Sequence, residues 1–499
     1  MNRPRTPVTG KPIPTPAEPF EGRQHSDLDR ADRFVIPLLL VSAFVVILNE
    51  TIMGVALPEL NRDLGISVST GQWLTSAFML VMAVVIPVTG YLLQRFHVRQ
   101  VFITAMALFS LGTLLCFLAS GFPALLAGRI VQAGGTAIMM PLLMTTVLNL
   151  VPADRRGRTM GNISIVISVA PAIGPTLSGL ILDVLDWRWL FGLVLPIAIG
   201  GLVLGALFIR NVTEPSAAGV DLPSVLVSAC AFGGLVYGFS GLGQKTEAAT
   251  VIPPGAAIAV GAVALMLFVW RQLLLQRHDR ALLDLRVFRS TQFSISIGLV
   301  LISFLALFGT LILLPVYMQY VLGHDTLVTG LTMLPGGLAM GLLAPVVGRL
   351  YDRIGPRPLV IPGAALVSAV LWSMTLFGTG TPVGGVVAAH VLMSLGLGLM
   401  LTPLLTGALG SLEPSLYSHG SAVVGTIQQV AGAAGTASFV AIMSAVSANR
   451  IAGGMDEITA QADGITTAFT MGATISLPAL AATFLVRGTT TKTKNVTTS

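Results

Sequence analysis

The chain has 499 residues, 54% of them apolar and only 10% charged, with a mean hydropathy of +0.85 and a formal net charge of +6. Ordinary soluble domains carry roughly one quarter charged residues, so this composition excludes a soluble enzyme or binding module and points to a polytopic membrane protein. The two cysteines, Cys116 and Cys230, sit in separate apolar runs, so neither a disulfide framework nor a zinc site is expected.

Residues 1–33 are rich in Pro and charge and lack an apolar core followed by a small-residue cleavage site, so they read as a disordered cytosolic tail. Apolar stretches bounded by charge, Gly or Pro then predict helices at 35–57, 72–93, 101–119, 123–150, 159–183, 189–209, 222–242, 253–275, 292–320, 327–348, 359–377, 383–409, 420–447 and 467–486. Residues 448–466 read as a solvated connector, and 488–499 as a second disordered cytosolic tail. With the N-terminus inside, 23 of the 28 Lys and Arg residues fall on the inner side and four on the outer, Arg62, Arg188, Lys245 and Arg450. This asymmetry supports both the count and its parity, because losing one helix would invert every later loop. It also explains the positive charge by topology, with no need for a nucleic-acid partner.

An internal repeat follows. IPVTGYLLQRFHVRQVF, from Ile86, aligns with APVVGRLYDRIGPRPLV, from Ala344, matching Pro87 with Pro345, Gly90 with Gly348, Arg95 with Arg353 and Arg99 with Arg357. Both copies close the second helix of a six-helix series. The organisation read from this is a six-helix bundle at 34–210, two inserted helices with a connector at 211–290, and a second six-helix bundle at 291–487. Two six-helix repeats in one orientation, with a substrate site between them near the bilayer midplane, are a transporter architecture.

Motifs in order along the chain resemble the fourteen-spanner drug:proton antiporter branch of the major facilitator superfamily: LNETIMGVALPEL, GYLLQRFHVRQ and GRLYDRIGPRP, GRIVQAGGTAIMMP, APAIGPTLSG and DWRWLFGLVLP. The resemblance covers Phe34 to Arg487. It implies an all-α major facilitator fold, multidrug efflux by alternating access, no enzymatic activity, and no cofactor beyond a proton gradient. Expected partners are a small amphipathic substrate, protons and membrane lipids. The expected form is a monomer in the cell (plasma or inner) membrane, multi-pass, with both termini cytosolic. The alternative is the same fold dedicated to one physiological cargo such as a lipid, peptide or metabolite. Departures from the family pattern are Gln94 in place of Asp, His97 in place of Gly, Ser178 in place of Gly, and Asn49 at the usual acid position with Glu50 one residue later.

Glu50 lies about eight residues, or roughly 12 Å, before Pro58 at the outer end of helix 1. A carboxylate facing lipid is costly, so it faces protein or a water-filled cavity, either carrying the coupling proton or fixing packing against Asn49 or Thr51. Arg129 is the one basic residue within a span, with Gln132, a helix 1 carbonyl or Glu50 as possible acceptors. The resemblance gives it a part in coupling; the alternative is a structural arginine reaching the outer interface. In the loop motifs, Gly90 and Gly348 permit close helix approach. Arg95, Arg99, Arg353 and Arg357 offer guanidinium forks, and Asp352, near the start of helix 11, is expected to act as cap and ion-pair partner in a cytosolic latch. Because Gln94 carries no charge, the first-half latch is expected to be the weaker. Pro171, Gly174, Pro175 and Gly179 predict a bent, tightly packed helix 5. Met139, Met140, Met144, Phe304, Phe308, Tyr317 and Gln319 are candidate cargo contacts, thioethers and aromatic faces suiting varied apolar or cationic ligands. His390 occupies the place of Arg129 in the second repeat and is a candidate second proton site or a packing histidine. No P-loop and no metal-ligand cluster is found.

Overall fold

Inside a bilayer every backbone N–H and C=O must be paired within the protein, which leaves the helix as the solution for long apolar runs. The computed structural model describes residues 32–209, 221–242, 252–278 and 280–486. Among these, fourteen helices are long and apolar enough to cross a membrane. They are α1 (Asp32–Asp63), α2 (Val68–Arg95), α3 (Val98–Phe117), α4 (Phe122–Leu150), α5 (Arg156–Val184), α6 (Val194–Phe208), α7 (Leu222–Leu242) and α8 (Pro254–Leu275). The series continues with α9 (Thr291–Val316), α10 (Thr326–Ile354), α11 (Arg357–Met374), α12 (Val383–Gly410), α13 (Tyr417–Ala452) and α14 (Glu457–Thr483). A short helical turn, Trp189–Gly192, leads into α6, and a π-helical turn, Tyr317–Val321, extends α9. Several starts are set by short polar side chains that accept an otherwise unpaired backbone N–H: Ser67 from Thr70, Ser290 from Phe293, Asp325 from Val328 and Asp456 from Thr459.

The first six helices form one bundle and the last six another. Between the bundles α5 packs on α10 and α2 on α13, while α7 leans on both α2 and α13 and carries α8 on its other side. The inserted pair is tied at its end by charge. Arg271 of α8 donates to both oxygens of Asp221, at 2.8 Å each, and the fork together with Ser224 holds that carboxyl below its usual range. Among the described basic residues, Arg95, Arg99, Arg155, Arg156, Arg158, Arg277, Arg280, Arg286, Arg289, Arg349, Arg353 and Arg357 fall at one end of the helices by their alternation, here called the basic side.

Two boundaries differ from the sequence reading. The 448–466 connector is mostly helical, because α13 runs on to Ala452 and α14 starts at Glu457, and Arg450 meets Asp463 at 3.2 Å. Hydropathy marks only the length within the apolar layer, whereas an N-cap at Asp456 lets a polar turn continue the helix outside it. At the N-terminus α1 begins at Asp32, inside the expected tail. The remaining tail residues 1–31, the C-terminal stretch from 487, and 210–220, 243–251 and 279 in the inserted region lie outside the described residues.

Candidate functional site

Asn49 on α1 is buried, and its side-chain oxygen accepts from Arg129 Nη1 of α4 at 3.4 Å. Arg129 is wholly buried. The same Nη1 donates to Gln132 at 2.7 Å, Nε reaches the Leu74 carbonyl of α2 at 3.5 Å, and the guanidinium lies 4.0 Å from the centre of the Phe78 ring. Gln132 in turn donates to Thr113 of α3 at 2.8 Å. Groups from α1, α2 and α4 thus meet on one guanidinium, with α3 joined through Gln132, and its Nη2 has no hydrogen-bond partner among the described residues. Glu50 is half-buried and stands within electrostatic reach of it, with no ion pair between the two among the described contacts. Of the expected acceptors Gln132 is present. The helix 1 contribution comes from the Asn49 side chain in place of a carbonyl, and a carbonyl is supplied by helix 2.

The second cluster joins the bundles at the basic side. Asp352, one of the last residues of α10, accepts from the backbone N–H groups of Gly157 at 2.8 Å and Arg158 at 2.9 Å. It therefore caps the start of α5 across the bundle boundary. The expected position near helix 11 and the ion pair are both corrected by this, since a carboxylate satisfies exposed helix N–H groups without needing a cation. Gly348, one turn earlier, backs onto Gly157 so closely that an added Cβ would meet the Gly157 carbonyl carbon at 2.9 Å and Arg158 Cα at 3.2 Å. At the equivalent place in the other pair, Gln94 donates to the Ser415 carbonyl at 2.9 Å, and Gly90 faces His419 and Ala422 of α13. The arginines of the two motifs do different things. Arg99 donates to the Ala206 carbonyl within its own bundle, at 2.5 Å. Arg353 and Arg357 are exposed with no ion pair among the described residues, and Arg95 is exposed. Toward the far side, an added Cβ at Gly179 of α5 or Gly330 of α10 would meet nothing within 4 Å.

The sequence profile of the Major Facilitator Superfamily matches residues 39–436. The uncharacterized MFS-type transporter YcnB of Bacillus subtilis is 38% identical over 453 residues, which cover 91% of this chain and 94% of that one. The lincomycin resistance protein LmrB of Listeria monocytogenes is 39% identical over 412 residues, 82% of this chain and 86% of its own. The crystal structure of the human organic anion transporter MFSD10 superposes with a TM-score of 0.63 over 90% of this chain and 99% of that one, at 16% identity, a likeness of fold alone. The chain belongs to the major facilitator superfamily. It is a multi-pass membrane transporter, not an enzyme.

In this transporter the expected helix 5 motif packs on the acid-bearing helix. Gly174 lies against Thr51, the residue after Glu50, with an added Cβ 3.0 Å from Thr51 Cβ. Pro171 is half-buried, Gly179 is exposed, and Pro175 lies in the same unbroken helix with its side chain outside the described set. The seven candidate cargo residues are divided between the two bundles. Met139 and Met144 are buried in the core of the first bundle. Phe304 is buried and stacks on Phe308, with ring centres 6.1 Å apart. Tyr317 is buried, donates to the Gly378 carbonyl at 2.6 Å and stacks on Phe377. Met140, Phe308 and Gln319 remain half-buried. His390 is buried, with Nε2 at 3.1 Å from the Met333 carbonyl and Nδ1 unpartnered among the described residues.

Several interface residues escaped the sequence reading. Arg156, counted there only for topology, donates to the carbonyls of Leu148 and Val151 and to the Tyr417 hydroxyl, and sits 5.3 Å from the Tyr417 ring centre across the bundles. Gly157 and Gly161, four apart, carry the close approach to α10; their small-xxx-small spacing was the signal available. Ser164 and Thr402 share a 2.7 Å hydrogen bond between bundles that no motif announces. On α13, Gln429 points to Met82 of α2 at 3.9 Å, and Gln428 Nε2 is buried without a partner among the described residues.

Proposed function

We propose that the transporter exports small amphipathic, lipophilic or cationic compounds from the cytosol in exchange for protons, by alternating access between its two bundles. The observation that carries this reading is a membrane-span carboxyl, Glu50, next in sequence to the Asn49 that accepts from a wholly buried guanidinium with one unpartnered nitrogen. When Glu50 releases its proton, its charge is drawn to Arg129, which is already braced by Asn49, Gln132 and Leu74. When it takes up a proton, that attraction is lost. Because Thr51 packs on Gly174, a change at Glu50 is transmitted to α5, and α5 carries the latch with Asp352 at the basic side. The proton state is thereby linked to the gate.

Taking the basic side as cytosolic follows the excess of Lys and Arg in loops there and puts both termini in the cytosol, with the plasma membrane as site. The contacts between the bundles at that side, with open space beside Gly179 and Gly330 at the other, support an arrangement closed to the cytosol. The LmrB relatives, named for lincomycin resistance, support drug-like cargo. Gln428, Gln429, Met82 and Phe308, at or beside the boundary between bundles, offer amide, thioether and aromatic contacts that suit varied ligands. One proton entering is worth about 2.3 kcal/mol per 100 mV, and a further 1.4 kcal/mol or so per pH unit. A modest gradient therefore sustains a concentration ratio of about a hundred at one proton per cargo.

The test is efflux of cationic and neutral dyes from proteoliposomes with and without a protonophore, for the wild type and Glu50→Gln. Gradient-driven efflux should fall to background in the variant while dye affinity stays within about threefold, the worth of one net hydrogen bond. Efflux by Glu50→Gln that still follows the pH gradient would remove Glu50 from the mechanism, and wild-type efflux indifferent to the protonophore would remove proton coupling.

A further inference from the structure

Between α8 and α9, at the basic side, the chain does not pass loosely from one helix to the next. Gln272 of α8 folds it back. Its side-chain oxygen accepts from the backbone N–H groups of Leu282 at 2.8 Å and Leu283 at 3.2 Å, while its nitrogen donates to Ser224 of α7. Asp284 then accepts from Arg286 and starts the short helix Leu285–Arg289. The result is a crevice of about 420 Å³ lined by Leu273, Gln276, Arg277, Arg286 and Arg289. Arg286 already meets Asp284 at 2.5 Å. Arg277 and Arg289 are exposed and have no acidic partner among the described residues. The Gln276 side-chain oxygen is buried and has no donor among them. Immediately beside the crevice, on the membrane-facing surface, Trp270, Leu273, Leu274 and Phe288 are exposed apolar side chains.

We infer that this crevice binds the headgroup of an anionic phospholipid of the phosphatidylglycerol class from the leaflet on the basic side. Arg277 and Arg289 hold the phosphodiester, the Gln276 oxygen accepts a hydrogen bond from a glycerol hydroxyl, and the acyl chains lie along Trp270, Leu273, Leu274 and Phe288. Two features select a lipid over a soluble phosphate: the cations stand where the helices enter the apolar layer, and greasy side chains border them on one side. The orphaned group is an acceptor, which a phosphodiester alone cannot satisfy, and so selects among lipids a headgroup that carries a hydroxyl. Because the connector belongs to the inserted pair, this reading gives α7 and α8 a role apart from cargo and protons.

The probe is phosphatidylglycerol with dibrominated acyl chains, titrated into the full-length protein in nanodiscs of zwitterionic lipid. Trp270 lies six residues before Gln276, about 9 Å deeper along the helix, within range of bromine quenching. Its share of the signal is the difference between the wild type and Trp270→Phe. Dibrominated phosphatidylglycerol should quench Trp270 with an affinity about 25-fold above that of dibrominated phosphatidylcholine, given roughly fivefold for each of two basic residues near a surface. R277Q/R289Q should lower that preference to near unity, and R277K/R289K, which keeps the charges and controls for misfolding, should retain most of it. Dibrominated phosphatidylmethanol, anionic but without headgroup hydroxyls, should bind about threefold more weakly, as for one lost hydrogen bond. Equal quenching by both lipids in the wild type, or an undiminished preference in R277Q/R289Q, would overturn the site. Displacement of the lipid by millimolar inorganic phosphate would overturn the lipid assignment in favour of a soluble anion, and equal binding of phosphatidylmethanol would overturn the contact with Gln276.

Discussion

Two of the places where the bundles touch at the basic side are related by the internal repeat yet are built from different chemistry. Where α10 meets α5, a carboxylate takes two backbone N–H groups and two glycines bring the chains into backbone contact. Where α2 meets α13, a neutral amide gives one hydrogen bond to one carbonyl, and the facing surface at Gly90 is a histidine side chain. A charge-assisted bond to helix N–H groups is worth about 1.5–3 kcal/mol when shielded, whereas a neutral one at an exposed position contributes about 1 kcal/mol or less. The asymmetry makes the α5–α10 contact the one that sets the closed state, with the α2–α13 contact following it. Gln94 in place of the acid is the residue-level cause.

The largest break of that comparison is Gly348→Ala. The new Cβ collides with backbone atoms of Gly157 and Arg158, which cannot swing aside as a side chain can. Overpacking of this kind costs about 1–3 kcal/mol, so the ratio of closed to open at the basic side should fall by roughly 10- to 100-fold. The readout is a spin-label distance between the exposed loop positions Asp154 and Glu413. An unchanged distance distribution would mean that the glycine contact is incidental. Next comes Asp352→Asn, which keeps the shape and one acceptor but loses the charge facing the α5 N-terminus; a shift of about tenfold toward open is expected in the same measurement. If Asp352→Asn left the ratio unaltered, the latch would have to reside elsewhere, with Arg156 on Tyr417 as one of the contacts left between the bundles.

What the sequence made legible, and what it hid, follows the same physical division. Fourteen helices and their alternation could be read because hydropathy and the placement of Lys and Arg report directly on the bilayer, which acts on every residue of a span. Arg129 could be read as a site because a lone guanidinium in a span demands acceptors, and Gln132 one turn away was among those expected. Asn49 stood at the family's acid position, but that its side chain would reach Arg129 depended on the rotation of α1 against α4, which no local pattern encodes. Asp352 was singled out, but its partners are backbone N–H groups, and any sequence supplies those. The hydroxyl pair Ser164 and Thr402 was invisible for a related reason: each type ordinarily bonds the carbonyl one turn back, as Ser164 also does to Met160. Methionine and phenylalanine at helical spacing looked equally suited to cargo or core, and burial places Met139, Met144 and Phe304 in packing.

The smaller effects test whether the α2–α13 contact is subordinate. At Gly90→Ala the added Cβ would lie 3.1 Å from His419 Nδ1 and 3.3 Å from Ala422 Cβ, so mostly side-chain atoms have to give, and a shift of about threefold toward open is expected, well short of Gly348→Ala. Gln94→Ala removes one hydrogen bond whose donor side is solvent-accessible, and water replaces it. The closed-to-open ratio should move by about twofold or less, in line with a few tenths of a kcal/mol. Combined with Asp352→Asn, however, Gln94→Ala removes the second tie from a gate that has lost its first, and the two changes lie in separate contacts that share no atom. Independent contacts predict additive free energies, within about 0.5 kcal/mol, and a double variant that opens far beyond the product of the single shifts would show instead that the two junctions close as one unit. In that event Gln94 would be no weaker a latch than Asp352, only a hidden one, and the ranking drawn from charge would fail.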